Sequence, residues 1–373
     1  MRIFAFSLLA VAIGCGTVED NAVSDQTPPS EATGPSSAPA PPLPKDEPQA
    51  LDLLKQHALK LKSDKQGLVI EVDFRDQPFD AATLDALTGL PKLRSLRLAG
   101  IELSDDDLAK IGALDTLRDL DLRNCPIGNA GLSHLEALSN LRALRLSGKS
   151  GATLVDDEGM ASIGKLAGLK ALLLDFLFVS EDGLKQLAGL TNLEEIYLAG
   201  TLVGDDAIPV LNQFTKLKKL RLSQTQVSSQ GMAGLQEMVH LQELDLSENS
   251  LIFDAGLSHL SAMKQLTKLN LWRVQVTDAG VQELAGLTNL RWLNLDNTQL
   301  SDGGLPALQG LVQLEFLHLG STAITDAGLG NLESLQALKE LKVTRTNVTD
   351  NGVAALQQKL PQSAIQLKYI EGQ

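Results

Sequence analysis

A period of 24 residues governs this chain. Apolar residues open successive units at Val69, Leu93, Leu117, Leu141, Leu169, Leu193, Leu217, Leu241, Leu266, Leu290, Leu314 and Leu338; ten of the eleven steps are 24 or 25 residues and the other is 28. One such unit cannot bury its apolar face alone, whereas stacked units share a continuous core, so a fixed period of this size specifies a solenoid. At 373 residues a single compact core would be near its size limit, and growth along one axis removes that limit.

The segment from Leu266 to Thr288 shows how a unit folds. Leu269 and Leu271 are two apart and point to one face of a short strand. Val281, Leu284 and Leu287 are three apart, as on one side of a short α or 3₁₀ helix. Between them Thr277-Asp278 supplies acceptors for the free N–H groups of a helix start. The same signal recurs at Ser104-Asp105, Ser301-Asp302, Thr325-Asp326 and Thr349-Asp350. The ninth position of a unit is often small and polar (Cys125, Thr201, Thr225, Asn249, Thr298, Thr322, Thr346). A side chain that hydrogen-bonds backbone groups is favoured where the chain leaves a buried strand.

The resulting pattern, Leu-x-x-Leu-x-Leu-x-x-(Thr/Asn/Cys)-x-(Leu/Val/Ile)-(Thr/Ser)-Asp-x-Gly-Leu, resembles leucine-rich repeats. It is most similar to the cysteine-containing or ribonuclease-inhibitor-like types and to their many bacterial relatives. The resemblance covers roughly residues 69–370 and implies an α/β fold: a horseshoe solenoid with a parallel sheet on the concave face and short helices on the convex face. Shared fold does not carry shared activity.

The first residues read differently. Met1-Arg2 is a positive start, Ile3 to Ile13 an apolar run too short to span a bilayer, and Gly14-Cys15 ends it. This resembles a bacterial lipoprotein signal, departing from it at Ala12. The resemblance implies cleavage before Cys15, lipidation of Cys15, export, and anchoring at the cell envelope, on the outer membrane or facing the periplasm. An ordinary secretory signal with a chance Cys is the alternative. Residues 16–50 hold eight of the fourteen prolines and have nothing to build a core from, so they read as a disordered tether. The organisation expected is a signal at 1–14, a Pro-rich tether at 15–49, an N-terminal helical cap at 50–68, twelve repeats over 69–361, and a capping strand at 362–373 drawn from Ile365, Leu367 and Tyr369.

Composition narrows the function. The net charge of −14 opposes nucleic-acid binding, which needs a basic footprint. Cys125, at an inward-facing ninth position, reads as a buried structural thiol. The five histidines, His57, His134, His240, His259 and His318, show no metal-ligand spacing. Ser147-Gly148-Lys149-Ser150 lacks the first glycine of a phosphate loop, which would fall at Ala143. No catalytic residue, metal or cofactor is expected.

The third, fifth and seventh residues of each unit face out of the sheet. They place both tryptophans, Trp272 and Trp292, on that face in adjacent units, with Phe316, His318, Asn270, Asn294 and Asp296 around them and Tyr197 further along. Large aromatics beside hydrogen-bonding groups have the composition of an interface hot spot. Arg97, Arg123 and Arg145 form a second, basic patch, with an ion-pair ladder to Asp119 and Asp121 as the plainer reading. The unit at Leu141 has four extra residues between Gly148 and Val155, and the unit at Leu241 one near Ile252-Phe253, both on the strand-to-helix side, where insertions often mark a binding edge. The expected function is a non-enzymatic protein-interaction scaffold that holds a protein or peptide on the concave face. A structural or polysaccharide-binding envelope protein is the alternative, and an enzyme inhibitor a third reading.

Overall fold

The computed structural model describes residues 45–368. The signal sequence, Cys15, Tyr369 and the tether up to residue 44 lie outside the described residues. Fourteen strands form one sheet in chain order: β1 (Lys60–Ser63), β2 (Val69–Asp73), β3 (Ser95–Arg97), β4 (Asp119–Asp121), β5 (Ala143–Ser147), β6 (Ala171–Asp175), β7 (Glu195–Tyr197), β8 (Lys219–Arg221), β9 (Glu243–Asp245), β10 (Lys268–Asn270), β11 (Trp292–Asn294), β12 (Phe316–His318), β13 (Glu340–Lys342) and β14 (Ala364–Gln366). From β2 onward every pair is parallel and in register, so Leu96, Leu120, Leu144 and Leu172 are direct neighbours in consecutive strands. Register is pinned because a slip of one residue would turn the leucines out to solvent.

The core is one continuous column of side chains from Leu54 to Leu360, with Leu244, Leu269 and Leu293 each 1% exposed or less. Each such leucine contributes about 1.5–3 kcal/mol over its exposed state. On the other side of the column each unit closes through a short helix, α as at Asp278–Gln282 or 3₁₀ as at Leu305–Leu308.

The Thr/Ser-Asp signal does two jobs. Thr277 caps its own helix by accepting from Ala279 N at 3.2 Å. The Asp reaches forward one unit: Asp254 accepts from Thr277 N and from Thr277 Oγ1, both at 2.7 Å. Asp302 does the same for Thr325 at 2.8 and 2.6 Å, and Asp326 for Thr349 at 2.8 and 2.6 Å. The Gly two residues after each Asp gives room for the carboxylate behind it; a β-carbon on Gly328 would collide with Asp302. Ninth-position side chains act on carbonyls as the sequence predicts. Asn249 Nδ2 donates to Leu222 O at 2.7 Å and to Leu246 O at 3.1 Å, and Thr298 Oγ1 donates to Leu295 O at 2.7 Å. Cys125 is fully buried and its Sγ donates to Leu98 O at 3.1 Å.

The N-terminal cap departs from expectation. The helix begins earlier, at Pro48, which suits the first turn because its missing N–H has no partner to lose. It stops at His57, and Ala58 turns extended (φ −72°, ψ 135°). The alternation Leu59-Lys60-Leu61-Lys62 has the period of a strand, and β1 pairs antiparallel with β2, Lys60 opposite Asp73. The cap is therefore a helix followed by an edge strand. At the other end the last helix runs Asp350–Lys359 and β14 follows without a helix of its own among the described residues.

Candidate functional site

The outward face of the sheet carries two separate aromatic clusters. Trp272 and Trp292 stand at the seventh and third positions of adjacent units. That separates them by four residues along the strand direction, roughly 13 Å at about 3.3 Å per residue, and no ring contact joins them. The expected single cluster is corrected to two on this ground.

The first cluster is a column. Lys268, Trp292 and Phe316 are in-register neighbours on β10, β11 and β12. Trp292 and Phe316 stack at 4.9 Å with their planes 5° apart, and Lys268 Nζ lies 4.8 Å from the Trp292 ring. His318 meets Phe316 edge-on at 6.3 Å, and its Nε2 is 3.9 Å from Asp296 Oδ1. Burial, helped by Lys342, lowers the His318 pKa from the usual imidazole value, against the pull of Asp296. Asn294 Oδ1 accepts from Asp296 N at 2.9 Å and Asn270 Oδ1 from Trp272 N at 3.2 Å. Both asparagines thus hold the strand exit, as Asx turns do.

The second cluster lines a cleft of about 720 Å³ that draws residues from the first unit, at Arg75, to the ninth, at Trp272. Its walls include Phe176, Tyr197, Trp272, Arg123, Lys149 and Arg221. A smaller hollow of about 200 Å³ adjoins it on the other side of Tyr197 and Arg221. At the centre Arg221 binds Asp175 at 3.0 Å and Asp245 at 3.4 Å, and lies 6.0 Å from the Tyr197 ring. Asp175 also accepts from Ala199 N at 2.8 Å. Burial nevertheless raises the Asp175 pKa, with Arg221 pulling the other way. Burial, with Glu195 beside it, raises the Tyr197 phenol far above its ordinary value, so it is a hydrogen-bonding hydroxyl at neutral pH.

Of the expected residues, the cleft contains Tyr197, Trp272 and Arg123, and the column contains Trp292, Phe316 and His318. The basic patch does not come together as one free site. Arg123 holds Asp121 through two bonds of 2.8 and 2.6 Å. Arg145 holds Asp119 at 2.5 Å, and Arg97 lies 3.7 Å from both Glu71 and Asp73. Arg123 pairs within its own unit and Arg145 and Arg97 pair across neighbouring strands, so each half-exposed guanidinium is neutralised where it stands.

Phe176 was missed by the sequence reading. It occupies the eighth position, where the strand turns toward the helix in the left-handed region: Asp76, Asn124, Gln224, Glu248, Arg273 and Asn297 all have φ between 55° and 60°. Asp, Asn and Gly tolerate that region; a phenylalanine at φ 61° is an outlier that costs on the order of 1–3 kcal/mol. The equivalent positions on either side are Gly148 and Gly200. A β-carbon on the first would collide with Phe176 O and on the second with the Phe176 ring. Lys149 Nζ caps the ring at 5.6 Å. The signal was available: one bulky aromatic between two glycines in a column otherwise made of glycine and polar residues.

Among the described residues no three His, Cys, Asp or Glu side chains gather as a metal site. No described helix is long and apolar enough to cross a membrane.

Comparison with known proteins accords with this geometry. A leucine rich repeat family model matches residues 264–324. A second leucine rich repeat model matches residues 114–135, 237–261 and 334–356. Among solved structures, an internalin from Listeria monocytogenes superposes with a TM-score of 0.60 at 21% identity, covering 87% of this chain and 94% of that one. Internalin C2 of the same organism gives 0.46 at 25% identity, over 56% of this chain and 83% of that one. A search of curated proteins finds no match. The chain folds as a leucine-rich repeat solenoid.

Proposed function

We propose that this leucine-rich repeat solenoid is a non-enzymatic interaction scaffold that holds a protein or peptide segment in the cleft around Phe176, Tyr197 and Trp272. The observation that carries the reading is Phe176, kept in a costly backbone conformation between two glycines with its ring on the cleft wall. Strain that the surroundings maintain points to use of the side chain it presents. The groups around it suit a polypeptide. Three aromatics offer apolar area at low entropic cost, the Tyr197 hydroxyl and the paired guanidiniums offer hydrogen bonds to backbone carbonyls, and the carboxylates of Asp175 and Glu248 offer acceptors for N–H groups.

In this reading the scaffold is exported and held at a bacterial cell envelope through Cys15 and the Pro-rich segment. Support for that comes from the apolar run ending at Gly14-Cys15. The likeness to the ribonuclease-inhibitor type rests on the ninth-position Cys125, Thr and Asn side chains and on the short helices.

The test is capture of ligand from envelope extract by the immobilised chain, beside two variants. Phe176→Ala/Trp272→Ala removes the cleft aromatics and Trp292→Ala/Phe316→Ala the column. A protein lost by the first variant and kept by the second supports the proposal; retention equal to wild type by the first sinks it. A polysaccharide lost only by the second variant favours glycan binding instead, since the coplanar Trp292–Phe316 stack also suits a sugar ring.

A further inference from the structure

A second surface lies away from the sheet face, on the edge where each unit passes from strand to helix. The residue aligned with the tenth position of each unit, insertions set aside, stands there; several are bridged in parallel to the unit before, as Leu154 is to Gly128 and Phe178 to Asp156, and Leu202 N donates to Val179 O at 3.0 Å. Along most of the solenoid this row is polar or small: Glu102, Gln226, Gln275, Gln299, Ala323, Asn347. In three consecutive units it is Leu154, Phe178 and Leu202, exposed by 65%, 62% and 47%. Leu251 resumes it two units later at 47%, with Phe253 at 51%. The stretch is bounded by the two insertions: the four residues before Leu154 open it and the extra residue near Ile252 closes it. Phe253 also displaces the Ser or Thr that caps the helix in neighbouring units, and that helix has no side-chain cap. A cap is worth about 1 kcal/mol.

Four residues further on, the same three units carry exposed carboxylates, Glu158, Asp182 and Asp206. Elsewhere that position holds Ala82, Ala130, Gln230, Ala255, Ala279, Gly303, Ala327 and Asn351; its one other carboxylate, Asp106, follows Glu102 rather than an apolar residue. An apolar row and an acidic row therefore run side by side over one stretch and nowhere else. Adjacent parallel strands lie about 4.8 Å apart. Residues at i, i+4 and i+7 of an α-helix rise by about 6 and then about 4.5 Å, which matches three successive units. An extended chain, with same-side residues about 6.7 Å apart, does not keep step.

We propose that this edge docks a basic amphipathic helix of a partner protein: apolar residues at i, i+4 and i+7 seat on Leu154, Phe178 and Leu202, and a flanking row of Lys or Arg faces Glu158, Asp182 and Asp206. The charge pattern excludes an anionic bilayer as the occupant. The surface is separate from the cleft, so it stands or falls independently of the proposed function.

The test uses a labelled synthetic helix of eighteen residues with Leu at the i, i+4, i+7 and i+11 positions and Lys beside them. The control is a peptide of identical composition with the leucines spread around the helix. Binding to the full chain is read by fluorescence anisotropy. Expected is saturable binding of the amphipathic peptide at least tenfold tighter than the control, weakened by added salt. It is lost in Leu154→Ser/Phe178→Ser and in Glu158→Lys/Asp206→Lys, and kept in Phe176→Ala/Trp272→Ala. The four edge side chains are exposed, and unchanged melting temperatures will show all the variants folded. Equal binding of both peptides overturns the proposal, as does binding unaffected by either edge variant. A wild-type dimer that becomes monomeric in Leu154→Ser/Phe178→Ser also overturns it, because the occupant is then a second copy of this chain.

Discussion

The ring of Phe176 lies against Gly200 so closely that a β-carbon there would collide with its Cδ1 and Cε1. Gly200 itself stands at φ 65°, a conformation that costs a residue with a β-carbon more than it costs glycine. Gly200→Ala is expected to push the ring off the cleft wall and to destabilise the fold by about 1–2 kcal/mol. Ligand affinity falling together with the melting temperature is the expected result, and Phe176→Leu, which replaces the ring by a smaller branched chain, should lower affinity with little change in stability.

The forward-reaching carboxylates give a second expectation. Asp302→Ala leaves Thr325 N and Oγ1 without their acceptor. A lost acceptor for partly buried donors costs about 1–3 kcal/mol. Urea unfolding should shift by that amount, and Thr325→Val, which removes both the hydroxyl's bond to Asp302 and its cap of Ala327 N, should shift it by about 1 kcal/mol.

Cys125 should be inert in the folded chain. It is fully buried and burial pushes its thiol up to about 12, so neither access nor thiolate is available. In a Cys15→Ser chain no thiol should react with a disulfide reagent under native conditions, and one equivalent should react in denaturant. Native labelling at a rate near that of free cysteine would contradict the structure.

His318 sets a pH dependence. Burial, with Lys342 close by, holds its folded pKa below the ordinary 6.5, so the unfolded chain takes up a proton first as pH falls. Stability should therefore rise with pH through the window just below 6.5 and be lost below it. Histidine NMR should place the His318 midpoint below 6.5, and Asp296→Asn should lower it further by removing the opposing charge.

The solenoid was legible because its period is long-range and redundant: twelve units repeat the same leucines, and each confirms the register of the next. The N-terminal cap was legible only in part. Leu59-Lys60-Leu61-Lys62 lies next to a helix-forming run, and the pairing with β2 that decides for a strand is a tertiary contact. The outward columns were correctly ordered, yet membership of the same face did not make Trp272 and Trp292 neighbours. Facing follows from a period of two, while contact also depends on position along the strand. Phe176 lies outside the alternation of the sheet, in a turn whose left-handed conformation shows only when all units are aligned. The edge row is half visible: the insertions show in the spacing of the units, but the exposure of Leu154, Phe178 and Leu202 depends on what the neighbouring units leave uncovered.

The antiparallel β1 has a consequence for the number of molecules a single stack can contain. A run of identical parallel units has no inherent stopping point, and its first strand is a template on which the last strand of another chain would fit. Here the first parallel strand is already paired by a strand of reversed polarity, four residues long and carrying Lys60 and Lys62, and Leu54 of the preceding helix plugs the open core. Head-to-tail growth into filaments is thus blocked at that end by β1 and the helix before it, and the solenoid's length is written into each polypeptide rather than set by concentration.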